Sequence, residues 1–118
     1  MAKNILIVED ELILAMINQQ IIESAGHRVI STLTKGEEAV EYVKINKPDV
    51  IIMDIFLEGK QDGISAMEEI RKFSDVPVIY VTGNSDPKSK TRAKETNYKY
   101  FLIKPVDSVA LQEALDMI

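Results

Sequence analysis

The sequence predicts a single α/β domain, a doubly wound sandwich with a parallel sheet between two layers of helices. Two observations carry this. Five short apolar runs alternate with five helix-like segments along the whole chain. Three of those runs, ILIV, VIIM and VIYV, are continuously apolar rather than alternating, as expected for strands covered on both faces. A third observation bounds the answer: 118 residues, 46% hydrophobic and 28% charged, is ordinary composition for one globular core.

The runs are Ile5–Val8, Val29–Leu33, Val50–Met53, Val78–Val81 and Tyr100–Ile103. After the first comes a stripe with Ile13, Ile17 and Ile21 at four-residue spacing, ended by Gly26. Ala39 and Val43 mark the second helix, which Pro48 helps to end. Ile64, Met67 and Ile70 mark the third; Leu111, Ala114, Leu115 and Ile118 mark the last. The fourth, over 85–96, differs. It has a capping residue in Ser85 or Asp86 and Pro87 in its first turn, but Ala93 is its only aliphatic residue. A helix so polar is expected to dock loosely and to be a moving part.

Bulk properties exclude several functions. A net charge of −5 disfavours direct binding to nucleic acid. The absence of cysteine excludes disulfides and thiolate metal sites. No apolar stretch is long enough to span a membrane, and MAKNILIVED lacks the layout of a signal peptide, so a cytoplasmic domain is expected.

In an open parallel sheet the binding crevice lies beyond the carboxyl ends of the strands. Those ends carry Glu9-Asp10, Asp54, Thr82-Gly83 and Lys104-Pro105. Carboxylates brought together repel one another unless a positive group joins them. A small hard cation such as Mg²⁺ is suited to that task, since it takes oxygen ligands and retains room for phosphate oxygens. A carboxylate can itself accept a phosphoryl group. Lys104 offers a point charge to a phosphoryl oxygen, Thr82 a hydroxyl, and Gly83 close approach of the backbone.

Glu9-Asp10, Asp54, Thr82 and Lys104-Pro105, in that order and at those strand ends, resemble the response regulator receiver family of two-component systems. The resemblance spans essentially the whole chain, 1–118, as one receiver domain. It implies a flavodoxin-like sheet of order 2-1-3-4-5 and a phosphorylation switch. Asp54 would accept the phosphoryl group from a phosphohistidine of a sensor kinase or histidine phosphotransfer protein. Asp10, with Glu9 through water, would hold Mg²⁺ together with Asp54 and the backbone carbonyl of Phe56. Thr82, Gly83 and Lys104 would bind the phosphoryl group; Thr82 and Phe101 would form the moving switch pair. The Lys104-Pro105 bond would be cis. Helix 4, strand 5 and helix 5 would face a downstream effector, a fused domain or a second copy.

One stretch departs from the common family pattern. Glu58 stands where a proline is usual, and Gly63 falls one residue late, in DIFLEGKQDG. This resembles a minority form of the family, D-x-x-L-x-G-x-x-D-G, and bears on the path of the loop near Phe56. Weighed against the receiver reading are a phosphatase of haloacid dehalogenase type, a receiver-like interaction module without phosphorylation, and a flavin-binding domain. The phosphatase needs a second aspartate where Phe56 stands. The unphosphorylated module would lack an acid, the hydroxyl or the lysine. The flavin domain would need a phosphate cradle where Glu9-Asp10-Glu11 stands. His27 reads as a surface residue without a role, and Lys88, Lys90, Arg92 and Lys94 as a solvated face.

Overall fold

A computed structural model of the chain describes residues 2–84 and 86–118. Strands β1 (Asn4–Val8), β2 (Arg28–Leu33), β3 (Val50–Met53), β4 (Val78–Thr82) and β5 (Tyr100–Ile103) alternate with five helices. These are α1 (Leu12–Ser24), α2 (Gly36–Asn46), α3 (Gly63–Ile70), α4 (Pro87–Lys94) and α5 (Ser108–Asp116). All strand pairs are parallel, in the order β2-β1-β3-β4-β5. This is the flavodoxin-like architecture and the sheet order that the resemblance implies.

The three continuous runs become β1, β3 and β4, the inner strands of the sheet, and their apolar residues are buried on both faces. One face packs Ile5, Ile7, Ile52, Ile79 and Val81 against α1 and α5. The other packs Leu6, Val8, Ile51, Met53 and Tyr80 against the helices on the opposite side, through Ala39, Val43, Ile64, Met67, Ile70 and Ala93. Strand pairing then puts the carboxyl ends of β1 and β3 level, with Val8 opposite Met53. The residue after each of these is Glu9 or Asp54.

Three local readings are corrected. The stripe Ile13, Ile17, Ile21 is not the buried face of α1: Ile13 is 74% and Ile17 46% exposed. Ala15, Asn18 and Ile22 are buried instead. A four-residue repeat advances 40° further than one turn at each step, so it drifts around a helix and cannot mark one face throughout. His27 is buried, not a surface residue. Its Nδ1 accepts the backbone N–H of Lys3 at 3.0 Å, and burial holds its pKa below the ordinary value. Arg92 is not merely solvated; it pairs with Asp62 at 2.8 Å. The cap of α4 is Asp86, whose Oδ1 accepts the N–H of Ser89 at 3.1 Å; Ser85 lies outside the described residues. Gly26 ends α1 in the left-handed region, at φ +89°, as read from the sequence.

Candidate functional site

The rim of the sheet is assembled by backbone bonds that continue the ladder past the strand ends. The Glu9 N–H donates to the carbonyl of Leu33 (2.8 Å), Asp54 N–H to Val8 (3.0 Å) and Lys104 N–H to Thr82 (2.8 Å). Each bond fixes the backbone of a residue singled out in the sequence.

The side chains converge. Lys104 Nζ lies 2.8 Å from Glu9 Oε1 and 2.9 Å from Asp54 Oδ2. Glu9 is 2% and Asp54 5% exposed, so this is a nearly dry pair of carboxylates sharing one ammonium. Glu9, Asp10 and Asp54 each offer a carboxylate oxygen, all within 4.8 Å of one another. Asp10 is less buried, and its Oδ2 accepts the N–H of Glu58 at 3.2 Å. Three carboxylates against one ammonium leave an excess of negative charge.

Glu9 feels its burial first and its neighbours second. Burial, joined by the adjacent Asp54 carboxylate, pushes its pKa up to about 7, although the Lys104 hydrogen bond pulls the other way. Burial would lower Lys104, but hydrogen bonds and attraction from Glu9 and Asp54 raise its pKa instead. An all-oxygen cluster of this kind fits a hard divalent cation in its chemistry and spacing.

Thr82 is fully buried at the end of β4, and its Oγ1 accepts the Asn84 N–H at 3.2 Å. Gly83 is exposed; a Cβ there would meet nothing within 4 Å, so the space beside it is open. Phe101 pairs with Tyr80 across the β4–β5 ladder and is half-buried, with ring centroids 6.0 Å from Tyr80 and 5.7 Å from Tyr98. The Lys104-Pro105 peptide is cis. Phe56, half exposed, follows Asp54 by two residues where the dehalogenase-type phosphatase would need an acid, and it has no proton to donate.

The departing loop is well built. Gly63 N–H closes it on the carbonyl of Ile55 at 2.7 Å. A Cβ on Gly63 would collide with the Asp54 carbonyl and lie 2.8 Å from Met53 Cγ, so only glycine fits. Asp62 then caps α3, its Oδ1 accepting from Ser65 N–H at 2.7 Å. This close approach explains why a glycine stands at position 63 despite the shifted spacing.

The sequence reading missed two further features. Beside the rim, α1 turns Leu12, Ile13, Met16 and Ile17 to solvent. Ile17 also lines a small groove, about 70 Å³, with Lys104, Pro105 and Val106. The second is Tyr80, whose buried hydroxyl meets Thr96 Oγ1 at 2.7 Å beneath α4.

A family model described as the response regulator receiver domain matches residues 5–116. The chain belongs to this family. Among curated receiver proteins it is 34% identical over 119 residues to the chemotaxis protein CheY of Thermotoga maritima, spanning 100% of this chain and 98% of that one. It is 30% identical over 115 residues to the transcriptional regulatory protein PdtaR of Mycobacterium tuberculosis, covering 98% of this chain but 56% of PdtaR. The chain thus spans about half the length of several curated relatives. Among solved structures, the receiver domain of a modulated diguanylate cyclase from Desulfovibrio desulfuricans G20 superposes with a TM-score of 0.92 at 32% identity. That match covers 99% of this chain and 93% of the other. The receiver domain of the sensor histidine kinase PA1611 from Pseudomonas aeruginosa PAO1, solved with magnesium coordinated in its active-site cleft, gives 0.88 at 29%. Coverage there is 99% and 97%. Membership makes the chain a signalling receiver domain of the two-component kind. Receiver domains generally bind Mg²⁺ at an acidic site, and this one carries an acidic cluster of buried Glu9 and Asp54 with the less buried Asp10. Among the described residues no helix is long and apolar enough to cross a membrane.

Proposed function

We propose that residues 1–118 act as one phosphorylatable receiver, in which Asp54 takes a phosphoryl group from a phosphohistidine of a sensor kinase or phosphotransfer protein. The observation that supports this most is the shared ammonium: Lys104 bridges Glu9 and Asp54 at 2.8 and 2.9 Å. Asp54 is the nucleophile. One of its carboxylate oxygens forms the new bond to phosphorus as the bond from phosphorus to the donor imidazole nitrogen breaks, leaving that electron pair on the imidazole. Lys104 then turns its charge from carboxylate to phosphoryl oxygen, and the Thr82 hydroxyl approaches a second oxygen once it leaves its contact with Asn84.

Glu9, Asp10, Asp54 and the backbone carbonyl of Phe56 are the groups that would hold Mg²⁺. When bound, the ion supplies neutralisation of the phosphoryl charge, which is most of what phosphoryl transfer demands. Phe101 turns inward as Thr82 moves, and α4, β5 and α5 carry the change outward to an effector, a fused domain or a second copy. Ile103 and Val109, both about half exposed, lie on β5 and α5 of that face. The apolar surface of α1 beside the groove at Pro105 suits docking of the donor protein. The domain assists its own phosphorylation and dephosphorylation rather than turning over a substrate, and it works in the cytoplasm.

The experiment is incubation with Mg²⁺ and acetyl phosphate followed by intact mass measurement. One added phosphoryl group, absent in Asp54→Asn, is the expected result. An adduct that survives this substitution would place the acceptor elsewhere.

A further inference from the structure

Helix α4 has little to hold it by the hydrophobic effect: Ser89 and Ala93 are its buried residues. Polar contacts must therefore decide where it docks. The strongest of these reaches across to the acceptor loop. Arg92 Nη1 donates to Asp62 Oδ2 at 2.8 Å and Nη2 to Asp62 Oδ1 at 3.2 Å, and Nη2 also donates to Ser65 Oγ at 3.1 Å. This is a two-pronged guanidinium–carboxylate pair with a third anchor, a geometry that fixes orientation as well as distance. Burial would raise the Asp62 carboxyl, but the Arg92 bonds and the Ser65 amide outweigh it and hold its pKa below the usual value.

The partner of Arg92 is not an arbitrary surface acid. Asp62 caps α3 and immediately precedes Gly63, which closes the loop on Ile55 and packs on the Asp54 carbonyl. Between Asp54 and the guanidinium of α4 there is thus an unbroken series of short contacts, and it runs through the stretch in which the loop departs from the common family spacing.

We propose that the Asp62–Arg92 pair is a tether between α4 and the loop bearing Asp54, so that the docking of the helix and the geometry of the acceptor loop shift together. Arg92 is in this sense a positioning residue. It would make α4 report the state of the loop by a route separate from Thr82 and Phe101. The functional consequence rests on Asp54 being the acceptor; the mechanical coupling does not.

The two are separable in one experiment. Amide hydrogen exchange of the unphosphorylated full chain is followed in segments 54–63 and 87–96, for wild type, Arg92→Met, Arg92→Lys and Asp62→Asn. Methionine keeps the length and removes the fork; asparagine keeps the capping oxygen and removes the charge. Exchange in both segments is expected to rise roughly threefold to tenfold in Arg92→Met, with less change in Arg92→Lys and none in β1 or α5. A rise confined to 87–96, or none in either segment, would overturn the proposal. Were protection lost everywhere in Arg92→Met, the milder Asp62→Asn decides by the same two segments. The phosphoryl lifetime after acetyl phosphate labelling is measured alongside and is expected to change severalfold with Arg92→Met. A wild-type chain that takes no phosphoryl group would sink the acceptor reading while leaving the exchange result to judge the tether.

Discussion

Replacing Asp54 with asparagine should make the metal-free protein more stable while abolishing its capacity to be phosphorylated. The rise of the Glu9 pKa from 4.5 to about 7 corresponds to about 3 kcal/mol of penalty on its charged form. Burial is the larger part, and Asp54 supplies a share of the rest. Two like charges 4.8 Å apart, the widest separation within the cluster, repel by about 3–4 kcal/mol at an effective dielectric of about 20. Asparagine removes that repulsion yet keeps an oxygen that can accept from Lys104, which retains Glu9 at 2.8 Å. Loss of the Lys104–Asp54 attraction offsets part of the gain, so a net stabilisation of about 1–2 kcal/mol is expected. The pH dependence carries the sign. A carboxyl whose folded pKa is raised favours the folded state fully below its unfolded value and loses that contribution as pH climbs through the folded one. With EDTA present, wild type should therefore weaken between about pH 4.5 and pH 7. Asp54→Asn should weaken less. Urea denaturation of both proteins at pH 6 and pH 8, in EDTA and again in excess Mg²⁺, reads all of this. In Mg²⁺ the order should reverse, because ligand binding stabilises the form that binds better. An asparagine variant that is less stable than wild type in EDTA at pH 8 would refute the account of a charge-strained rim.

Other outcomes follow from the same geometry. Burial pushes the Tyr80 hydroxyl up to about 12, so one of the four tyrosines should resist ionisation when tyrosinate absorbance is followed above pH 10. Stability should fall by about 3 kcal/mol between pH 10 and 12 on this account, and Tyr80→Phe should remove that part of the fall. Gly63→Ala places a methyl against the Asp54 carbonyl and Met53, and a loss of at least about 2 kcal/mol in urea denaturation is expected. Ile17→Glu, at the edge of the groove beside Lys104, should slow transfer from a phosphohistidine protein at least about tenfold and leave labelling by acetyl phosphate within about twofold. Equal loss with both donors would place Ile17 in the site rather than in docking.

The strands were legible because burial on both faces leaves no alternation to blur: the three continuous runs sit in β1, β3 and β4, and the sequence bounds fall within one residue of the structure. The rim was legible for a related reason. In a parallel sheet, knowing where a strand ends tells which side chains meet, so Glu9, Asp54 and Lys104 could be brought together before any distance was known. What escaped depended on packing at long range. His27 is buried and accepts the backbone N–H of Lys3, 24 residues away, and nothing beside it in sequence announces that. The face of α1 was misphased because isoleucine lies on several sides of that helix, and the small Ala15 marks the true contact. Arg92 stood among four cations of equal appearance; only its partner 30 residues earlier distinguishes it.

Lys104, the counter-charge between Glu9 and Asp54, follows the last strand of the sheet, 50 positions after Asp54. A chain folded only as far as β4 would press two acids together with no cation of its own between them. The counter-charge at the rim thus belongs to the finished sheet, since it arrives only with the residue that follows the edge strand.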